Sequence, residues 1–122
     1  MSKVIDFTDL ITWQKAHNLV LLIYNITAGF PAYEKLALSN QMQRAAVSVT
    51  SNIAEGFARR GKKEKIQFYY MSLGSLSELR NQLIICKDLK YISINVLEEL
   101  EARSIEVRKL LNGLIKTSTS YD

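Results

Sequence analysis

The chain has 122 residues, 48% of them hydrophobic, with 5 Gly and 1 Pro. That size and balance suit one domain around one hydrophobic core, spanning 1–122, and exclude a disordered chain. The formal charge of +4 permits acidic partners without demanding them, and a lone cysteine, Cys86, excludes an intramolecular disulfide or a cysteine-cluster metal site.

The residues up to Leu10 include Asp6 and Asp9 and hold no apolar stretch, so no signal peptide is expected there. Thr8 can cap a first helix over 8–29, with Asp9 favourably placed in its first turn. Trp13, Ala16, Val20 and Ile23 repeat at three and four and mark its inner stripe. Ile11, Leu21 and Leu22 lie off that stripe. The longest dense apolar run, 19–26, is too short to cross a bilayer, so no membrane contact and a cytoplasmic protein are expected. Gly29-Phe30-Pro31 ends the helix.

The second helix is predicted over 39–58. Met42, Ala46, Val49, Ile53 and Gly56 form a seam of coiled-coil spacing. Opposite lie Arg44, Ser48, Ser51 and Glu55, small and charged groups where a solvated face favours longer side chains. The helix therefore reads as packed on two faces. Gly56 and Gly61 bracket a break, and a third helix follows over 62–90. Its seam is Tyr69, Ser72, Leu76, Leu79, Leu83 and Cys86. Gly74 sits mid-helix, where glycine costs about 1 kcal/mol, and a close helix crossing there would explain it. Met71, Ile84 and Ile85 fall off the seam. Asn95 and Glu98 have capping-box spacing for a fourth helix over 95–115, with Leu97, Leu100, Ser104, Val107, Leu111 and Leu114 inward. Asn112-Gly113 weakens its end, and 1–7 and 117–122 are expected to be flexible. The fold class is all-α, an antiparallel up-down-up-down four-helix bundle. A long dimerising hairpin would need a helix through Pro31.

Catalytic chemistry is sparse. His17 falls on the polar side of the first helix, and Cys86 reads as a buried structural thiol. No Gly-rich phosphate loop, paired metal-ligand spacing or Cys–His arrangement is present, so no cofactor, metal or catalytic residue is expected. Glu55 and Glu78 are candidate buried carboxylates, best explained by a structural polar network with Arg44. The remote alternative is a hydrolase acting through either carboxylate. Arg59, Arg60, Lys62, Lys63 and Lys65 put five cations within seven residues at the start of the third helix. A bound phosphate would offset their unfavourable dipole placement. Tyr69 and Tyr70 follow; both are expected to pack, with base stacking the minority reading.

Phe7, Leu10, Trp13 and Ala16; Tyr24; Phe30-Pro31 with Glu34; Gln41, Arg44-Ala45-Ala46 and Ser48; Asn52-Ile53-Ala54-Glu55-Gly56; Gly74-Ser75; Glu78-Leu79; and Tyr91 form a specific pattern. On these residues the chain resembles the bacterial four-helix-bundle family of 23S ribosomal RNA intervening-sequence proteins, which has a relative serving as accessory protein in diversity-generating retroelements. The resemblance implies a ring-like homopentamer without enzyme activity. The retroelement relative is a basic binder of nucleic acid and of a reverse transcriptase. Thr50 stands where that pattern has a proline, and Tyr69-Tyr70 replaces a Phe-Leu type pair. The surplus of packable surface separately points to a homo-oligomer. The expected function is non-enzymatic binding of RNA or DNA by phosphate contacts at the five cations. The alternative is a scaffold for a protein partner such as a polymerase.

Overall fold

A computed structural model describes residues 3–119. A 3-10 turn at Phe7–Asp9 leads into α1 (Ile11–Thr27), and a second at Ala32–Glu34 leads into α2 (Leu38–Ala58). Then come α3 (Lys62–Asp88) and α4 (Ile94–Thr119). No strand occurs among the described residues. Each helix packs on its chain neighbours and α1 also packs on α4, while the diagonal pairs do not meet. That closed square is consistent with up-down-up-down order. The chain does not run as a helix through Pro31, so the long hairpin is excluded.

The apolar seams close on one core. Met42, Val49 and Ile53 of α2 meet Leu76, Leu79, Leu83 and Cys86 of α3, all at most 1% exposed. Fully burying each Leu or Ile contributes about 1.5–3 kcal/mol, which dominates the stability of the bundle. Two seams are rotated from expectation. In α1, Thr12 is buried and Trp13 only partly. In α4, Ile115 takes the buried place expected of Leu114. Two serines of the core are satisfied by backbone carbonyls. Ser72 Oγ donates to the Val49 carbonyl at 2.7 Å, and Ser104 Oγ to the Leu100 carbonyl at 2.8 Å.

Several helix ends differ from the sequence expectation. Thr8 does not cap α1. Asp6 and Asp9 instead cap one another's amides in a closed 3-10 turn, and α1 begins after Leu10. Asp9 Oδ2 accepts from the Asp6 and Ile5 amides at 3.0 Å each, which lowers its pKa. Phe7, expected in a flexible end, packs edge-on against Trp13 at 5.4 Å. At α4 the cap is Ser93, whose Oγ accepts from the Val96 amide at 3.2 Å, so the box expected at Asn95 does not form. The helix continues past Gly113 to Thr119, since Leu114 and Ile115 still pack on the core. Residues 117–119 of the end expected to fray thus lie within the helix, and 1–2 and 120–122 lie outside the described residues. α2 runs unbroken through Thr50, whose Oγ1 bonds back to the Val47 carbonyl at 2.9 Å.

The α2–α3 contact is the most extensive in the molecule. Small groups make it close: Ser48 and Ser75 hydroxyls meet at 2.8 Å, and Gly56 lies under Tyr69. Ser48 was expected on a second packed face turned away from the core of its own bundle, but it serves this contact within the bundle. Gly74 was expected at a close crossing, yet a Cβ added there would meet nothing within 4 Å. Its neighbours Ser72 and Ser75 make the approach, one face away.

Candidate nucleic-acid interface

The α2–α3 joint is residues 59–61. Arg59 and Gly61 are both extended, the latter opening α3 without a side-chain cap. Buried Gly56 lets the chain turn tightly, because an added Cβ would stand 2.6 Å from Tyr69 Cε1. The joint brings the five predicted cations to one end of the bundle, but the structure divides them. Arg59 turns back on its own helix. Its Nη2 pairs with Glu55 Oε2 at 2.8 Å, and its guanidinium lies 4.9 Å over the Phe68 ring. Lys65 also turns inward: its Nζ donates to the Phe57 carbonyl at 2.7 Å and the Gly56 carbonyl at 3.2 Å. Lys65 therefore caps the C-terminus of α2, where the dipole favours a cation. Burial lowers its pKa; the two carbonyls act the other way and favour the ammonium. Lys62 is half-buried at the mouth of a 350 Å³ cleft with Leu10, Phe57, Lys65 and Tyr69. Arg60 and Lys63 are exposed, and neither makes an ion pair. Tyr69 is buried, with burial raising its pKa. Tyr70 does not pack as expected; it is 58% exposed.

The expected Arg44–Glu55–Glu78 network is not formed. All three residues are exposed, and Glu55 is committed to Arg59. Arg44 and Glu78 line one outer groove of 510 Å³ with Asn40 and Ser48, without an ion pair between them. The reason is geometric: Arg44 and Glu55 lie opposite the seam that α2 buries. Cys86 is buried as expected. Its Sγ lies 3.3 Å from Met42 Sδ, and burial, aided by the Glu34 charge, pushes the thiol up to about 11. His17 is stacked on Trp13 at 4.6 Å. Among the described residues no cluster of His, Cys, Asp and Glu is placed to hold a metal ion, and no helix is long and apolar enough to cross a membrane.

One constellation escaped the reading of periodicity. At the other end of α2, the Tyr91 hydroxyl donates to Glu34 Oε2 at 2.8 Å and meets the Tyr33 hydroxyl at 3.0 Å. Phe30 covers Tyr91 at 5.0 Å. The hydrogen bond to Tyr33, then that to Glu34, raises the Tyr91 pKa. The available signal was the aromatic residues flanking both joints; Phe30, Glu34 and Tyr91 all belong to the resemblance pattern.

A family model described as "23S rRNA-intervening sequence protein" matches residues 8–113, nearly the whole bundle. The chain belongs to that family. It is also similar to a solved protein of unknown function from the S23 ribosomal protein family of Bacteroides thetaiotaomicron VPI-5482. The TM-score is 0.80 at 23% identity, covering 87% of this chain and 96% of that one. At that identity the likeness establishes the shared helical fold. Among proteins with curated descriptions, none matches this chain.

Proposed function

We propose that this protein is a non-enzymatic homo-oligomer that holds nucleic acid by its phosphates at the α2–α3 end of each bundle. The observation that carries the reading is the exposed pair Arg60 and Lys63 beside half-buried Lys62, on a joint that Arg59 and Lys65 keep rigid from within. The family description makes RNA the first ligand to test. Arg60 and Lys63 are read as phosphate contacts, so sequence preference is weak. Self-association draws on apolar residues left outside the core. Ile11 and Leu21 are 51% and 56% exposed, and Met71, Ile84 and Ile85 are 50%, 43% and 39% exposed. The number five comes from the family resemblance alone.

Fluorescence anisotropy with labelled RNA and DNA at several salt concentrations tests the binding. Two phosphate contacts per protomer give a slope of log affinity against log salt of about −2 per engaged protomer on duplex. Several protomers engaging one strand steepen it and tighten binding. Arg60→Glu/Lys63→Glu abolishes the salt dependence. Binding indifferent to both salt and charge reversal would refute the reading. The scaffold function would then stand, with exposed Tyr70 as a protein-docking residue. Light scattering tests assembly separately, and a stable monomer at micromolar concentration is the adverse result.

A further inference from the structure

We propose that a cleft between α3 and α4, flanked by Arg80 and Arg108, is a phosphate-binding site. The cleft measures 210 Å³ and is lined by Leu73, Leu76, Ser77, Arg80, Arg108 and Asn112. Leu73, Ser77 and Arg80 recur at helical spacing on α3, and Arg108 and Asn112 on α4, so the lining residues form two facing stripes. Arg80 Nε is buried and has no hydrogen-bond partner among the described residues. The nearest carboxylate, Glu101 Oε2, reaches Nη2 of Arg80 only at 4.0 Å, longer than a hydrogen bond, with both side chains about 30% exposed (31% and 28%). Arg108 has no ion-pair partner. The cleft thus has two guanidinium groups in its lining, and the carboxylate loosely placed beside Arg80 is not among the lining residues.

A buried donor without an acceptor is costly. The planar guanidinium fork matches oxyanions best, and charge-assisted bonds to phosphate are among the strongest it makes. A phosphate offers acceptors to both arginines together with the Ser77 hydroxyl and the Asn112 amide. The volume lies below the roughly 300 Å³ at which drug-sized ligand sites begin, so it suits a phosphate group without its nucleoside. That phosphate is either free or one diester of a nucleic-acid strand. Along α3, Arg80 stands about 26 Å from Lys63 at 1.5 Å per residue. The site is separate from the basic end and does not depend on it.

The test is a ¹H–¹⁵N titration of the arginine Nε–Hε resonances of the full chain. One arm adds inorganic phosphate against chloride at equal ionic strength, and the other adds a short single-stranded RNA. The Arg80 resonance should shift saturably, and Arg108→Gln should weaken the response by about tenfold or more with the helical spectrum intact. Saturation by inorganic phosphate alone assigns a free phosphate; a response to RNA, with or without it, assigns a backbone diester. Arg108 is exposed, so its variant remains informative if Arg80→Gln does not fold. Arg60→Glu/Lys63→Glu should leave the Arg80 response to inorganic phosphate unchanged, which separates this site from the basic end. An Arg80 resonance that moves with neither ligand, or a response undiminished in Arg108→Gln, overturns the proposal.

Discussion

At the α2–α3 end the chain turns in three residues and cations close it, Lys65 on two carbonyls and Arg59 on Glu55. At the other end of α2 two joints meet, 28–37 and 89–93, and a carboxylate closes them, with Tyr91 donating to Glu34 beneath Phe30 and bonded in turn to the Tyr33 hydroxyl. The first end relies on glycine and close approach. The second relies on hydrogen-bonded rings and on Lys90, which sits at φ 65 after α3. Lys90 and Tyr91 donate back to the Lys87 and Cys86 carbonyls at 2.9 and 2.8 Å, a Schellman closure with lysine where glycine is usual. The contrast teaches that a run of charge in a sequence locates residues without saying which of them meet solvent. A helix C-terminus beside the run engages some of its cations.

Breaking the tight end should have the largest effect. Gly56→Ala places a methyl 2.6 Å from Tyr69 Cε1 and 3.1 Å from Phe68 Cβ. It should cost about 2–3 kcal/mol in urea denaturation, even after the helix propensity of alanine. Alkaline pH should act next, at the aromatic end. The folded pKa of Cys86 is raised from 9.0 to about 11. Its contribution is therefore full below pH 9 and lost as pH rises through about 11, on the order of 2 kcal/mol. Cys86→Ala should flatten that fall in part, since buried Tyr69 at the tight end is raised as well. Lys65→Met keeps the aliphatic stem and should cost about 1 kcal/mol, whereas exposed Arg60→Met should stay within about 0.5. Equal losses in the pair would erase the distinction between engaged and exposed cations. Lys90→Gly should stabilise by about 0.5–1 kcal/mol, because relief of left-handed strain exceeds the added chain entropy. Its sign is read from the thermal midpoint.

The seams of α2 and α3 were legible because apolar spacing is imposed by burial itself. Met42, Ala46, Val49, Ile53 and Gly56 are all buried, as are Tyr69, Ser72, Leu76, Leu79, Leu83 and Cys86. Helix starts were less legible. A cap is a local choice among nearby acceptors, and Asp6 with Asp9, or Ser93, could serve as well as Thr8 or Asn95. The expected ion network failed for a different reason. One-dimensional spacing places Arg44 and Glu55 on one stripe but does not show that the stripe faces out. The basic run was located correctly. That Lys65 would reach back over the joint to Phe57 depends on the interhelical approach that Gly56 permits, which no single-helix pattern carries.

Trp13 is the chain's sole tryptophan, held edge-on by Phe7 and stacked on His17. Its emission therefore reports the seating of the Phe7–Asp9 turn on α1, while far-ultraviolet ellipticity reports the four long helices. A short 3-10 turn without buried residues detaches at lower free energy than the core unfolds. The two optical signals should separate on denaturation, fluorescence changing first. A midpoint taken from fluorescence alone would then measure the departure of the first turn and understate how firmly the bundle holds.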